Sequence, residues 1–95
     1  MKELNSAANP RVKQWRQLLT ASGRRAHGLF LADGEHLCQE ALRAGFAEAL
    51  LVQADRREQY EALLAKADEP ILVSPQVMKA LSDSVTPQGC LAVCR

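Results

Sequence analysis

The sequence has few aromatic residues and no long apolar run. One Trp, one Tyr and two Phe make up 4% of its 95 residues, so an aromatic surface for stacking nucleobases is not expected. No apolar run approaches the roughly 18 residues that span a bilayer, and residues 1–9 lack the apolar segment of a secretory signal. We therefore expect a soluble, cytoplasmic protein.

Cysteines are few, and the three present, Cys38, Cys90 and Cys94, show no Cys-x-x-Cys spacing. An odd number argues against a disulfide framework, and the spacing argues against a zinc knuckle. His36 and Cys38 are two positions apart on a predicted helix and point to different sides, so they do not share a metal. We expect buried thiols that pack in the core and no metal site.

Catalytic signatures are also missing. The chain has no glycine-rich dinucleotide motif, no phosphate loop and no Gly-x-Ser-x-Gly turn. Asp33, Glu35 and His36 could exchange protons, but no nucleophile adjoins them, and carboxylates are common at a helix amino end because its dipole favours them. At 10.4 kDa, with 47% hydrophobic residues, the chain predicts one globular domain over residues 1–95 that is not catalytic alone.

The net charge of +1 conceals an uneven distribution. Residues 1–27 carry six basic residues against Glu3, a net of +5, whereas the remainder carries six against ten acids, a net of −4. Acidic surface repels phosphate, so this pattern would confine polyanion binding to one patch. A solubilising helix face explains the same pattern equally well.

The first periodic segment, Asn9–Ser22, predicts a helix that buries Val12, Trp15 and Leu18 and ends at a left-handed Gly23. Arg24–His27 then reads as a polar loop. Beyond it, short apolar runs predict strands that alternate with helices. The predicted strands are 28–32, 49–52, 71–73 and 90–93, and the further helices are 35–44 with Leu37 inward, 55–67 capped by Asp55, and one that starts at Pro75.

Strands that are apolar on both faces are typical of a sheet covered on both sides. The pattern therefore predicts an α/β fold, a three-layer α/β/α sandwich with a four-stranded mixed or parallel sheet. The chain stops at Arg95, two residues after an apolar strand, which fits a fragment of a longer protein.

Two polar stretches suggest contacts with a nucleic acid. Arg24 and Arg25 place two guanidinium groups beside Gly28, from where forked donors reach phosphates. The segment 81–89 is rich in hydroxyl groups and ends in Pro-Gln-Gly, which suits neutral hydrogen bonds to a ribose or base. The alternative for each stretch is an ordinary exposed loop or turn.

Three motifs carry a resemblance: Asn9-Pro10-Arg11-Val12-Lys13, Phe30-Leu31-Ala32-Asp33-Gly34 and Thr86-Pro87-Gln88-Gly89. In this order and spacing, the chain resembles the amino-terminal substrate-binding domain of TrmH/SpoU-type RNA ribose methyltransferases. One departure is Asp33, where the family usually has glutamate, and the shorter side chain puts any contact assigned to that carboxylate in doubt.

The resemblance implies a ribosomal L30/L7Ae-like fold and a parent enzyme that methylates ribose 2′-hydroxyls in rRNA or tRNA. It also implies a homodimeric parent whose carboxy-terminal knotted SPOUT domain, without counterpart in these residues, holds S-adenosylmethionine. This chain would recruit the RNA for that catalytic domain.

We expect phosphate contacts from the cations near the start of the chain and neutral contacts from amides and glycine backbones. The phosphate contacts are Arg11, Lys13, Arg16, Arg24 and Arg25, and the neutral contacts are Asn9, Gln88, Gly34 and Gly89. The alternative is a protein-interaction or dimerisation domain whose basic helix contacts an acidic partner.

Overall fold

The computed structural model describes all 95 residues as a sheet of five strands with helices on both faces. The strands are β1 (Lys2–Leu4), β2 (Phe30–Asp33), β3 (Ala47–Gln53), β4 (Pro70–Val73) and β5 (Cys90–Cys94). The helices are α1 (Pro10–Arg16), α2 (Ala21–His27), α3 (Glu35–Ala44), α4 (Glu61–Lys66) and α5 (Pro75–Leu81). None of these helices has the length and apolar character needed to cross a membrane.

The sheet is mixed, with the strand order β1-β4-β3-β5-β2. Strands β1, β4 and β3 pair in parallel, whereas β5 is antiparallel to both β3 and β2. Four strands therefore point the same way and end at one edge of the sheet, here called the carboxyl edge. The opposite edge, where these strands begin and β5 ends, is called the amino edge.

Two apolar layers hold the helices on the sheet. Cys38 of α3 and Leu64 of α4 pack on one sheet face with Leu50. Trp15 of α1 and Met78 of α5 pack on the other face, together with residues such as Leu51. Burial of an aliphatic side chain such as Leu50 or Met78 contributes about 1.5–3 kcal/mol to folding. The predicted three-layer α/β/α sandwich is confirmed.

The cysteines occupy this core. Cys38, Cys90 and Cys94 are all buried and free, as expected from their number and spacing. Burial and a neighbouring thiol raise the pKa of Cys38, with the Cys90 hydrogen bond as the largest cause. Burial also raises the pKa of Cys94, whereas the hydrogen bond with Cys38 lowers the pKa of Cys90. All three thiols pack in the core as small side chains.

The sheet has five strands where the sequence predicted four. The additional strand, β1, is three residues long, and its Lys2 and Glu3 are exposed. It pairs with β4 through Lys2 and Ile71, which are far apart in the chain. A strand this short and polar has no apolar pattern, so its pairing partner alone defines it.

The predicted single helix Asn9–Ser22 is wrong, and so is its end at Gly23. The chain forms α1, a 3-10 turn at Gln17–Leu19 and then α2, which Thr20 caps by accepting a hydrogen bond from Gly23 N. A Cβ on Gly23 would lie 1.8 Å from the Gln17 carbonyl oxygen, so this glycine allows α2 to pack closely against the preceding 3-10 turn. The left-handed residue is Gly28, with φ 66°, and Arg24–His27 is helical rather than a loop.

The predicted helix 55–67 with Asp55 as its cap is also wrong. Two 3-10 turns, Ala54–Arg56 and Glu58–Tyr60, precede the shorter α4. Asp55 accepts a hydrogen bond from Gln53 Nε2 at 2.8 Å instead of capping a helix.

Two apolar side chains expected to be buried are exposed. Leu37, predicted to face inward on α3, is 51% exposed, and Phe30, in a strand predicted to be buried, is 41% exposed. Phe30 begins an edge strand, so one side of its backbone has no neighbouring strand to cover it.

Candidate nucleic-acid interface

The predicted contact residues fall into two regions of the fold. The cations, together with Asn9, lie on or next to α1 and α2. Gly34, Gln88 and Gly89 lie at the carboxyl edge of the sheet, where β2 ends and β5 begins. The predicted contacts therefore do not form one continuous cluster.

Arg11 is engaged inside the domain. Its guanidinium donates to Glu69 Oε2 at 2.7 Å and to the other carboxylate oxygen, and it lies 4.8 Å from the centroid of the Trp15 ring. Lys2 Nζ lies 3.2 Å from the same carboxylate. The hydrogen bond from Arg11, followed by that from Lys2, lowers the pKa of Glu69 to about 2. Arg11 therefore ties the start of α1 to the segment before β4.

Arg24 is also engaged internally. Its Nη1 donates to the Leu18 carbonyl at 3.0 Å, and His27 Nε2 lies 2.7 Å from Gln17 Oε1. These two contacts hold α2 against the 3-10 turn before it. The orientation of α2 thus depends on one of the cations that the sequence assigned to phosphate.

Three exposed cations remain without an ionic or hydrogen-bonding partner: Lys13, Arg16 and Arg25. Lys13 and Arg16 are three positions apart on α1, so they share a side of that helix. Asn9 caps α1 by accepting a hydrogen bond from Arg11 N at 2.8 Å, which fixes where the helix begins. We call these three residues the cationic face.

At the carboxyl edge, Gln88 is held at both its side chain and its backbone. Its Oε1 accepts from Glu35 N at 2.8 Å and so caps α3. Its carbonyl accepts from Arg56 Nη1 at 2.7 Å and from the Tyr60 hydroxyl at 2.8 Å. Gln88 Nε2 has no partner in the protein, so two amide hydrogens are held in place and free to donate.

The two glycines have mainly structural roles. Gly34 and Gly89 have φ angles of 103° and 97°, a region that disfavours other residues. Gly34 N donates to the Cys90 carbonyl at 3.0 Å and Gly34 O accepts from Cys38 N, so its backbone has no free donor. A Cβ on Gly89 would lie 2.8 Å from Arg56 Cδ, so this glycine admits the guanidinium stem.

Asp33 anchors the loop between α5 and β5. Its carboxylate accepts from Ser82 Oγ at 2.5 Å, and Ser82 Oγ accepts in turn from Ser84 N. The side chain that departs from the resembled family thus has a contact within the domain.

A polar cleft of about 340 Å³ lies beside this anchor. Asp33, Gly34, Asp83, Ser84 and Gln88 line it. Its two carboxylates repel phosphate, whereas its amide and hydroxyl groups suit neutral hydrogen-bonding partners.

Sequence reasoning missed Arg56, Tyr60 and Glu69 as residues that shape these regions. Burial is the main cause that raises the pKa of Tyr60 to about 12, so its hydroxyl stays protonated and donates. Glu69 lies 58 positions from Arg11 and Arg56 lies 32 positions from Gln88, so no local pattern links them. The Arg56-Arg57 pair is the one visible signal, because it follows an apolar strand.

The chain is similar to known proteins in sequence and in structure. The protein-family model for the MRM3-like substrate-binding domain matches residues 9–92 of this chain. A Bacillus subtilis 23S rRNA (guanosine(2553)-2′-O)-methyltransferase, RlmP, is 35% identical over 95 residues, which is 99% of this chain.

Two solved structures have a similar fold over almost all of this chain. An RNA 2′-O ribose methyltransferase superposes with a TM-score of 0.77 at 33% identity over 98% of this chain. An AdoMet-bound rRNA methyltransferase from Sinorhizobium meliloti superposes with a TM-score of 0.75 at 26% identity over 99% of it. The chain spans 38% of the length of the Bacillus relative and 37% and 36% of these two structures.

Proposed function

The chain belongs to the family of MRM3-like substrate-binding domains, and from this premise we propose that it binds RNA for a ribose 2′-O-methyltransferase of the SpoU/TrmH type. Relatives that carry this domain are named as rRNA or RNA 2′-O-methyltransferases. We further propose that residues 1–95 are the recruiting domain and that a knotted carboxy-terminal domain of a homodimeric parent performs the methyl transfer.

The cationic face is the observation that carries the proposal. Lys13, Arg16 and Arg25 are exposed and have no protein partner, so a phosphate would not have to displace an internal carboxylate. Such contacts position RNA without reading its sequence. Arg11 and Arg24 support the cationic face by fixing the positions of α1 and α2. Their guanidinium groups contact phosphate only if they bind it in addition to their partners within the domain.

The carboxyl edge supplies the neutral contacts in this proposal. The Gln88 side-chain amide is held by the bond from Glu35 N to its Oε1, and its Nε2 is free to donate to a base or a ribose hydroxyl. The greatest dimension of the domain is 34 Å, and in this proposal a folded RNA contacts both the cationic face and this edge. Shape and unpaired nucleotides would provide most of the selectivity.

S-adenosylmethionine belongs to the remainder of the parent enzyme in this proposal. Every buried side-chain nitrogen and oxygen atom in the domain has a hydrogen-bonding partner. A groove of about 370 Å³ between α3 and α4 is lined by charged and amide groups as well as apolar ones, such as Arg43, Gln59 and Leu63. In this proposal the domain takes no step in methyl transfer.

An NMR titration of the chain with a structured RNA tests the proposal. We expect backbone shifts at Lys13, Arg16 and Arg25 and a shift of the Gln88 side-chain amide, all weakening as salt rises. Lys66 and Lys79, exposed cations outside the cationic face, should shift less. The absence of RNA-induced shifts at low salt would contradict RNA binding and favour the alternative, a basic surface for an acidic protein partner.

A further inference from the structure

The polar cleft at the carboxyl edge has free hydrogen-bonding groups of both kinds. Gln88 Nε2 is a donor without a partner, and the Asp83 carboxylate is an acceptor without one. Asp33 uses one carboxylate oxygen for Ser82 Oγ and leaves the other free. The cleft, about 340 Å³, is within the range of roughly 300–1,000 Å³ that small-ligand pockets occupy. A molecule that enters it therefore meets donors and acceptors together.

The direction of the Gln88 side-chain amide is fixed by the protein. Its Oε1 accepts from Glu35 N at 2.8 Å, so the oxygen faces α3. A Cβ on Gly34 would lie 3.1 Å from this oxygen and 3.8 Å from Nε2, so the absence of a side chain on Gly34 leaves room for the amide. The Gln88 carbonyl is held by Arg56 Nη1 and the Tyr60 hydroxyl. The amide therefore presents its hydrogens, and not its oxygen, to a ligand.

This orientation argues against a cation as the ligand, although Asp33 and Asp83 would attract one. A metal ion binds lone pairs, and an arginine or lysine side chain carries only donors. Either would face the N–H groups of Gln88 across the cleft, because the Gln88 oxygen already accepts from Glu35 N. The ligand that fits offers an acceptor to Gln88 and donors to the carboxylates.

The charges around the cleft argue against a phosphate as the ligand. Asp33, Asp83 and Glu35 contribute three carboxylates at this edge. Arg56, the arginine bonded to the loop, donates to two of its backbone carbonyls. The carboxylates repel phosphate. A nucleobase is neutral and projects away from its own phosphate, so it can enter the cleft while the RNA backbone stays outside.

We propose that the cleft binds the Watson–Crick edge of one unpaired guanine of the RNA, with Gln88 Nε2 donating to its O6 and Asp83 accepting from its N1–H and N2–H. The inference rests on the proposed function, because it names the nucleotide that the neutral contacts would read. Guanine carries one acceptor beside two donors on this edge, which matches an amide donor beside free carboxylate oxygens. Every other base offers the carboxylate at most one N–H there and forms fewer bonds.

This contact would add selectivity to the phosphate contacts of the cationic face. Phosphate contacts depend on salt and are the same for every base. A contact with the Watson–Crick edge depends on the base and requires an unpaired nucleotide. The preference for one base therefore reports on the cleft, and the salt dependence of affinity reports on the cationic face.

The test uses RNA hairpins whose loops hold one guanosine, inosine or adenosine among uridines. The chain should bind the guanosine loop about tenfold more tightly than the adenosine loop, with inosine, which lacks the N2 amine, in between. Asp83→Asn should remove most of this preference, because an amide nitrogen replaces one acceptor oxygen. Asp83 has no partner in the domain, so this variant should fold normally. Asp68→Asn is the matched control, since Asp68 is also exposed and unpaired but precedes β4 at the amino edge.

Equal affinities for the guanosine and adenosine loops overturn the guanine contact, and so does a preference that Asp68→Asn loses as fully as Asp83→Asn. A preference that inosine keeps in full overturns the Asp83 contact with the N2 amine. Mg²⁺ that shifts the Asp83 and Gln88 NMR signals without RNA overturns the proposal in favour of a cation site. If the hairpins bind without base preference but with a salt-dependent affinity that Lys13→Ala weakens, the proposed function stands and only the guanine contact fails. If no hairpin binds at low salt, the proposed function itself fails.

Discussion

Ionic partners divide the basic residues of the first helices into structural and free ones. Arg11 has a carboxylate partner in Glu69, and Arg24 donates to a carbonyl of the preceding turn. Lys13, Arg16 and Arg25 have neither kind of partner. Residue type alone assigned all five to phosphate, and only the folded chain separates the two roles.

Glu69→Gln should make stability less dependent on pH. The pKa of Glu69 is about 2 in the folded state against 4.5 without its partners, so its contribution is complete above about 4.5 and is lost as pH falls towards 2. The side chain is 33% exposed, so solvent limits the effect to about 1 kcal/mol. Urea unfolding at a series of pH values should show a wild-type advantage at neutral pH that vanishes near pH 2. Glu58→Gln, an exposed carboxylate without a partner, should show no such trend, and an equal trend would contradict the assignment.

Gly23→Ala should destabilise the domain, although alanine normally stabilises a helix by about 1 kcal/mol over glycine. The added Cβ would lie 1.8 Å from a backbone oxygen, so α2 would have to move away from the 3-10 turn at about 1–3 kcal/mol. Thermal or urea unfolding measures the change. Ala26→Gly in the same helix is the control and should cost only the helix preference. A stabilised Gly23→Ala variant would refute the packing argument.

At the scale of elements, one loop is the best-organised feature of the candidate interface. The segment after α5 is tied down by Asp33 at its start and by Arg56 and Tyr60 at its end. Each tie is between segments far apart in sequence. The loop therefore depends on the completed fold for its shape.

Arg56→Ala should loosen this loop without unfolding the domain. Losing the bonds to the Pro87 and Gln88 carbonyls should cost about 1–3 kcal/mol locally. Faster hydrogen exchange of the Glu35 amide, which donates to Gln88 Oε1, would report it. Arg57→Ala removes an exposed neighbouring arginine and should leave that amide unchanged. Equal exchange in both variants would show that Arg56 does not hold the loop.

Elements with strong local signals could be predicted from the sequence. Helix α3 ends at a left-handed Gly45, and α5 begins at a capping Ser74 followed by Pro75, as expected. The sequence did not predict strand β1, which is defined by its pairing with β4. It did not predict helix α2 either, in which Gly23 lies close to the Gln17 carbonyl of the preceding turn. Local propensity carries no information on such long-range or close backbone contacts.

The same distinction applies to the candidate site. The cations and the amide of Gln88 could be identified by residue type, but their partners could not, since Arg11 and Glu69 are 58 positions apart. The exposure of Phe30 could not be predicted either. Apolar residues in a predicted strand are expected to be buried, and only the strand order shows that β2 is an outermost strand with a neighbour on one side alone.

At the scale of the whole molecule, charge is segregated between two parts of one small domain. The first 27 residues carry +5 and the rest −4, and the folded chain places the free cations on α1 and α2 and carboxylates at the carboxyl edge. The resemblance to TrmH/SpoU-type enzymes is confirmed by the family match and by the relatives. The carboxylates at the carboxyl edge repel phosphate, so the cationic face would determine the orientation in which RNA approaches the domain.

The central claim is that this face binds RNA phosphates, and the salt dependence of RNA affinity tests it most directly. Three phosphate contacts predict that log affinity falls with log salt at a slope of about −2 for single strands. The triple variant Lys13→Ala, Arg16→Ala, Arg25→Ala should lose nearly all of that slope and about tenfold or more in affinity at low salt. The triple variant Arg57→Ala, Lys66→Ala, Lys79→Ala has the same net charge and should keep the wild-type slope. Equal slopes and affinities in the two variants would contradict the account.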